Sequence, residues 1–202
     1  MFHGIRACLE VVYGSAEVSG RKIAIQGVGN VGYHLASYLH GHGAQLVYSD
    51  INHRNLQRAM DTFGGDVVEG DDYFRADCDV LAPCAIGGIV NARTVGMIRA
   101  PIIAGGANNI LEDEASDSEL LAEKAIIYAP DYVVNAGGLM SVYAELRGWP
   151  GEKAMDDAEN VFNTVKRVLH KAQGEGVSTI TASNRLAEER IEAVAHLQRV
   201  RI

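Results

Sequence analysis

Short apolar runs, rich in β-branched residues, recur along the first two thirds of the chain, at Lys22–Gln26, Ala44–Ser49, Asp79–Ala82, Pro101–Ala104 and Ala125–Tyr128. They are nearly continuous rather than alternating, the pattern of strands buried on both faces of a parallel sheet. Between them apolar residues return at helical spacing, as in Tyr33, Ala36, Leu39 and His40, or in Leu56, Ala59, Met60 and Phe63. Strand and helix in alternation predict βαβ units and an α/β fold, a doubly wound, mostly parallel sheet with flanking helices. Strand signals stop near Leu139. Two helical segments follow, Glu152–Gln173 and Thr179–Val200, the second with an alternative start near Ser183. Gly174 and Gly176 between them are placed as helix C-caps would be. A further helical pattern covers Phe2–Tyr13 and stops before Gly14. No internal repeat, low-complexity tract or long linker interrupts this order, which reads as one domain with a helical C-terminus.

Composition narrows the function classes. The 202 residues have room for one large domain, and 48% hydrophobic against 22% charged residues excludes wholesale disorder. With 18 Lys plus Arg against 26 Asp plus Glu, the net charge of −8 repels phosphate backbones, so no nucleic-acid partner is expected. Cys8, Cys78 and Cys84 are odd in number and lack a CxxC spacing, which argues against a disulfide framework or a zinc site and for a reducing, cytoplasmic setting. Met1–Cys8 holds no apolar run of signal-peptide length and no segment has the length of a membrane span, so neither secretion nor membrane insertion is expected. His40 and His42 do not form a credible metal centre, and GxSxG and P-loop motifs are absent.

The chemistry begins where the first strand ends. Gln26 runs directly into Gly27-Val28-Gly29-Asn30-Val31-Gly32, and a helical pattern opens at Tyr33. A GxGxxG motif carries weight only in this strand–turn–helix context, because each glycine then has a task. Gly27 permits the tight turn, Gly29 lets the backbone approach a pyrophosphate, and Gly32 lets the helix pack closely on the strand. The unpaired N–H groups and partial positive charge of the helix start face the phosphates. An acid about 20 residues on would take the adenosine ribose hydroxyls. Asp50, with Ile51 after it, ends the second apolar run, 23 positions after Gly27. Its charge repels a 2′-phosphate and favours NAD over NADP, although Arg54 nearby is suited to partner such a phosphate. The alternative is a turn used only for packing, with Asp50 a solvated strand end.

In a sheet of this kind ligands sit beyond the carboxyl ends of the strands. Those ends carry Pro83-Cys84-Ala85-Ile86-Gly87-Gly88, then Gly105-Gly106-Ala107-Asn108-Asn109, then Pro130-Asp131 through Asn135-Ala136-Gly137-Gly138. Small residues there admit a ribose and a nicotinamide. Asn108 and Asn135 are suited to hydrogen-bond a carboxamide, a ribose hydroxyl or a substrate amine, or else simply to form turns. Cys84 has no base in an interpretable relation to it and reads as a small residue lining the groove rather than as a nucleophile.

The segments Ile25–Asn52, Asp79–Gly88, Ile102–Asn109, Ile126–Gly138 and Arg185–Ile191 together resemble the cofactor-binding domain of the Glu/Leu/Phe/Val dehydrogenases, the leucine and phenylalanine branch most of all. The resemblance runs through the chain in order. It implies a Rossmann-type domain over residues 15–202, preceded by part of a hinge helix at 1–14. It also implies NAD-dependent oxidative deamination of an L-amino acid to a 2-oxo acid and ammonia. By resemblance, Gly27–Gly32 hold the pyrophosphate, Asp50 and Ile51 the adenosine ribose, and Cys84 and Ala85 the ribose groove. Ala107, Asn108 and Asn109 lie at the nicotinamide end, Asn108 and Asn135 approach the substrate, and Leu139 and Val142 shape an apolar side-chain pocket.

The departure from the family lies in what is lacking. Family members carry an N-terminal domain that binds the amino acid and supplies two lysines and an aspartate, and they assemble as homo-oligomers. The glycine-rich lysine motif of that domain does not occur here. The five lysines, at 22, 124, 153, 166 and 171, fall outside the glycine-rich strand ends. No catalytic residue is assigned, and the chain reads as a cofactor half that binds NAD without turnover. The competing reading is a free-standing NAD-binding sensor or regulatory module.

Overall fold

The computed structural model describes residues 1–199. Six parallel strands form one sheet: β1 (Lys22–Gln26), β2 (Gln45–Ser49), β3 (Asp66–Val67), β4 (Val80–Pro83), β5 (Ile102–Ile103) and β6 (Ile127–Tyr128). Their order is β3-β2-β1-β4-β5-β6. The chain thus winds outward from β1 in one direction, returns, and winds outward from β4 in the other. The doubly wound sheet expected from the pattern of apolar runs is present.

Both faces of the sheet are covered, which is why the strands do not alternate. Ile23 and Ile25 of β1 enter one core with α1 (Phe2–Tyr13), α2 (Asn30–Gly41) and the long α8 (Gly151–Glu175). Ala24, between them, points into the opposite core with Leu81, Ile103 and residues of α5 (Glu114–Glu123) and α9 (Thr179–Arg199). α8 shows the spacing of a helix laid on a core: Val161, Val165, Val168, Leu169 and Ala172 are all buried. Against it lie Ile5, Cys8 and Leu9 of α1, all fully buried. Gly14 closes α1 in the left-handed conformation, with φ 72°.

Several boundaries differ from the sequence expectation. β3 is only two residues long and exposed, too short to leave a periodic signal. Gly174 lies inside α8, and Gly176 alone, at φ 64°, is its C-cap. α9 starts at Thr179, where the Ser178 hydroxyl accepts from the Thr181 N–H, so the start near Ser183 is not used. Val200, the expected end of that helix, lies outside the described residues. Gly137 and Gly138 open a helix, α7 (Gly137–Leu146), instead of forming a turn. Two four-residue helices, α4 (Ala92–Val95) and α6 (Asp131–Val134), cap loops beyond the carboxyl ends of β4 and β6. α3 (His53–Phe63) completes the first half, on the spacing of Leu56 and Ala59. No helix among the described residues is long and apolar enough to cross a membrane.

Candidate functional site

Strand register assembles the site. Gln26 stands opposite Ser49 on one side and opposite Pro83 on the other. The next residues of the three strands, Gly27, Asp50 and Cys84, therefore emerge side by side at the carboxyl edge. The winding direction reverses between β1 and β4, and such a reversal opens a crevice in which ligands bind.

The three motif glycines meet three different surroundings. Gly27 has φ +83°, and a Cβ there would lie 2.6 Å from the Ala85 Cβ. A Cβ on Gly32 would lie 1.8 Å from the Gly27 carbonyl oxygen, so α2 touches the turn backbone to backbone. Gly29, the N-cap of α2, has ordinary φ −69° and nothing within 4 Å of a Cβ position. The space beside it is open. The amides of Asn30, Val31 and Gly32 occupy the first turn of α2, where N–H groups have no intrahelical acceptor, and Asn30 and Val31 are exposed. This backbone fits a diphosphate: oriented donors, the positive end of a helix, and no side chain at Gly29 to fill the approach.

Asp50 is already tied to that turn. Its Oδ2 accepts the Val28 N–H at 2.8 Å and the Asn55 side chain at 3.4 Å, and its Oδ1 accepts the Asn52 N–H at 2.8 Å. Three of roughly four acceptor sites on the carboxylate are so engaged, and one is left for a ligand hydroxyl. Ile51, just beyond, is fully exposed. Asn52 caps α3 by accepting the Arg54 N–H. On the other side of the crevice Cys84 is half-buried, and its N–H donates to the Gln26 carbonyl at 2.7 Å. Burial pushes its thiol up to about 11, opposed more weakly by the Gly106 amide. The thiol there is neutral, and Ala85 beside it is exposed.

Beyond β4 and β5 the loops are fastened together. Gly88 N–H donates to the Asn109 carbonyl at 2.7 Å, and a Cβ on Gly87 would lie 2.4 Å from the Asn108 carbonyl oxygen. Ala107 is buried while Asn108 and Asn109 are exposed, Asn109 in the left-handed region at φ 52°. Asn135, the C-cap of α6, donates from Nδ2 to Asn108 Oδ1 at 2.6 Å. The two asparagines singled out from sequence thus meet directly, although they are 27 positions apart. A cavity of about 570 Å³ adjoins Asn108 and Asn109, lined also by Tyr128, Asp131 and Tyr132. Leu139 and Val142 stand on α7, three residues apart, 74% and 52% exposed. Asp131 received no role from sequence. Its only signal there was an acid following a proline directly after an apolar run.

The family model for glutamate/leucine/phenylalanine/valine dehydrogenases matches residues 50–199. The chain belongs to this family. Leucine dehydrogenase of Bacillus subtilis (strain 168) is 43% identical over 192 residues, covering 95% of this chain and 52% of that protein. An alignment of that length over 202 residues necessarily includes the glycine-rich turn. The crystal structure of L-tryptophan dehydrogenase from Nostoc punctiforme superposes with a TM-score of 0.93 at 44% identity, over 95% of this chain and 58% of that one. A glutamate dehydrogenase from Thermus thermophilus, described as hetero-hexameric, shares the fold at a TM-score of 0.72 and 21% identity, over 97% of this chain and 53% of that one. The chain spans about half the length of the relatives it matches.

Proposed function

We propose that this chain is the NAD-binding half of an L-amino acid dehydrogenase, and that by itself it binds the dinucleotide without turning over an amino acid. The observation that carries this reading is the wiring of the turn. An acid at the β2 tip grips the Val28 amide at 2.8 Å, and beside it the Gly29 position opens onto empty space. In this reading the first-turn amides of α2 hold the pyrophosphate, and Asp50 takes the adenosine ribose and disfavours a 2′-phosphate. Ile51 lies beside the adenosine, Cys84 and Ala85 wall the ribose groove, and Ala107, Asn108 and Asn109 orient the nicotinamide end. When bound, NAD supplies the acceptor for a hydride leaving the amino-acid Cα.

Asn108 and Asn135 orient the amide or amine groups that reach their side of the crevice. Leu139 and Val142 form part of an apolar side-chain pocket, which suits a hydrophobic amino acid such as leucine, phenylalanine or valine. That the relatives named above include a leucine and a tryptophan dehydrogenase supports this class. Proton transfer from the amine and activation of water need a general base. The five lysines lie at the start of β1, at the end of α5 and along α8, away from the crevice loops. By the family resemblance, the base is assigned to the half of a full-length relative that this chain does not span. Residues 1–14 serve as part of the hinge helix toward it. Three free cysteines support a reducing, cytoplasmic setting.

Calorimetry with NAD⁺, NADP⁺ and ADP-ribose tests the binding half of the reading. Affinity for NAD⁺ above that for NADP⁺ is the expected result, and no heat at millimolar NAD⁺ on folded protein would sink it. NADH formation from leucine, phenylalanine, valine or tryptophan tests the other half. Robust turnover by these 202 residues would contradict the assignment of the base.

A further inference from the structure

We infer that Asp131 is a positioning residue, one that holds the Asn108–Asn135 pair in register at the nicotinamide end of the crevice. The inference rests on the functional reading above and adds a residue to which that reading gives no task. Asp131 is a carboxylate only 7% exposed, and a buried carboxylate is costly unless hydrogen bonds replace its water. Here the replacements come from backbone. Oδ2 accepts the Ile110 N–H at 3.1 Å, and Oδ1 accepts the Tyr132 N–H at 2.7 Å. The main chain of the same residue accepts the Asn135 N–H at 2.7 Å.

One residue therefore ties both sides of the pair. Its side chain fastens the loop that carries Asn108 and Asn109, and its carbonyl fastens the end of α6 that carries Asn135. The outcome of that tie is the 2.6 Å bond from Asn135 Nδ2 to Asn108 Oδ1. Asn109, in the same loop, takes the left-handed conformation at φ 52° that asparagine tolerates. The charge type matters as well. Both oxygens act as acceptors, so an amide at this position must turn an NH₂ group against one of two N–H donors. Asp131→Asn then breaks one tie while leaving size and shape nearly unchanged.

The test compares the wild-type chain with Asp131→Asn, using NAD⁺ and ADP-ribose as ligands in calorimetry and following side-chain amide resonances by NMR. ADP-ribose reaches the glycine turn and Asp50 but has no nicotinamide. The variant is expected to keep its affinity for ADP-ribose within about twofold, to lose about tenfold for NAD⁺, and to shift the Asn135 NH₂ resonances. Equal weakening for both ligands would assign Asp131 a general structural role and overturn the inference, as would no change for either. If the variant does not fold, the wild type decides. NAD⁺, but not ADP-ribose, must perturb the Asn135 side chain, and the Ile110 amide must be protected from exchange in the free protein. Failure of either overturns the inference. A wild-type chain that binds neither ligand refutes the functional reading itself, an outcome distinct from those above.

Discussion

The two ends of the crevice are built differently. At the glycine turn, the end proposed to take the adenosine, the chain after β1 is closed on itself: Gly32 packs on Gly27, Asp50 holds Val28, and the Cys84 N–H reaches back to Gln26. At the other end the polar pair Asn108–Asn135 is formed, but the helix beyond it exposes Leu139, Val142, Tyr143 and Leu146 along one face. The four positions follow helical spacing, so the exposure is a continuous apolar strip. The end proposed to take the adenosine is thus completed by backbone, and at the end proposed to take the substrate the described residues present one exposed helix face. Cofactor recognition needs fixed amides and one acid, which a single βαβ unit can supply. A pocket for a side chain must surround it, and a single helix face cannot.

This contrast is sharpest where chemically identical residues have opposite tasks. Gly32→Ala places a methyl group 1.8 Å from a backbone carbonyl, and the turn has no side chain to move aside. A stability loss of at least about 3 kcal/mol is expected, read from thermal or urea melts. A melt like that of the wild type would show that the turn is slack and the adenosine end is not closed. Gly29→Ala meets nothing within 4 Å, at a φ any residue adopts. Its stability should change by no more than about 1 kcal/mol, the cost of a poorer N-cap, while NAD⁺ affinity falls about tenfold because the Cβ stands where a phosphate must approach. Equal affinity for the two proteins would separate the open space beside Gly29 from any phosphate site.

Asp50→Asn removes the charge, and its single amide oxygen serves either Val28 or Asn52 but not both, so ADP-ribose affinity is measured alongside to separate that loss from the loss of charge. The ratio of NAD⁺ to NADP⁺ affinity is expected to fall several-fold, by about 1 kcal/mol of lost discrimination, as measured by competitive calorimetry. An unchanged ratio would move the choice of cofactor to other residues, Arg54 among them. The smallest effect belongs to the other end. Leu139→Ser, at a residue 74% exposed, should alter stability by less than about 0.5 kcal/mol and leave NAD⁺ affinity unchanged. A larger loss in a melt would mean that α7 is held by more than its packing on α8, and the comparison of a finished and a half-built end would fail.

How far these features were legible beforehand depends on the range over which each is specified. Five of the six strands, the first and last helices, and the glycine turn with its acid follow from local pattern, because periodicity and turn chemistry act over a few residues. β3 was not legible, since two exposed residues form a strand only where β2 presents a free edge. Gly174 misled for a related reason. Glycine favours a helix end, yet the buried stripe of α8 carries the helix past it to Gly176.

By itself the sequence determined the order of elements, the type of sheet, and the kind of groups placed at the strand tips. Tertiary structure alone decided which of those groups meet. The register of Gln26 with Ser49 and Pro83 brings Gly27, Asp50 and Cys84 to one edge. Packing of distant segments joins Asn135 to Asn108 across 27 positions and Asp131 to Ile110 across 21. Hydrophobic spacing encodes which face of an element is buried. How far each strand slides along its neighbour, and which loop then reaches which, is set by core packing across the whole sheet.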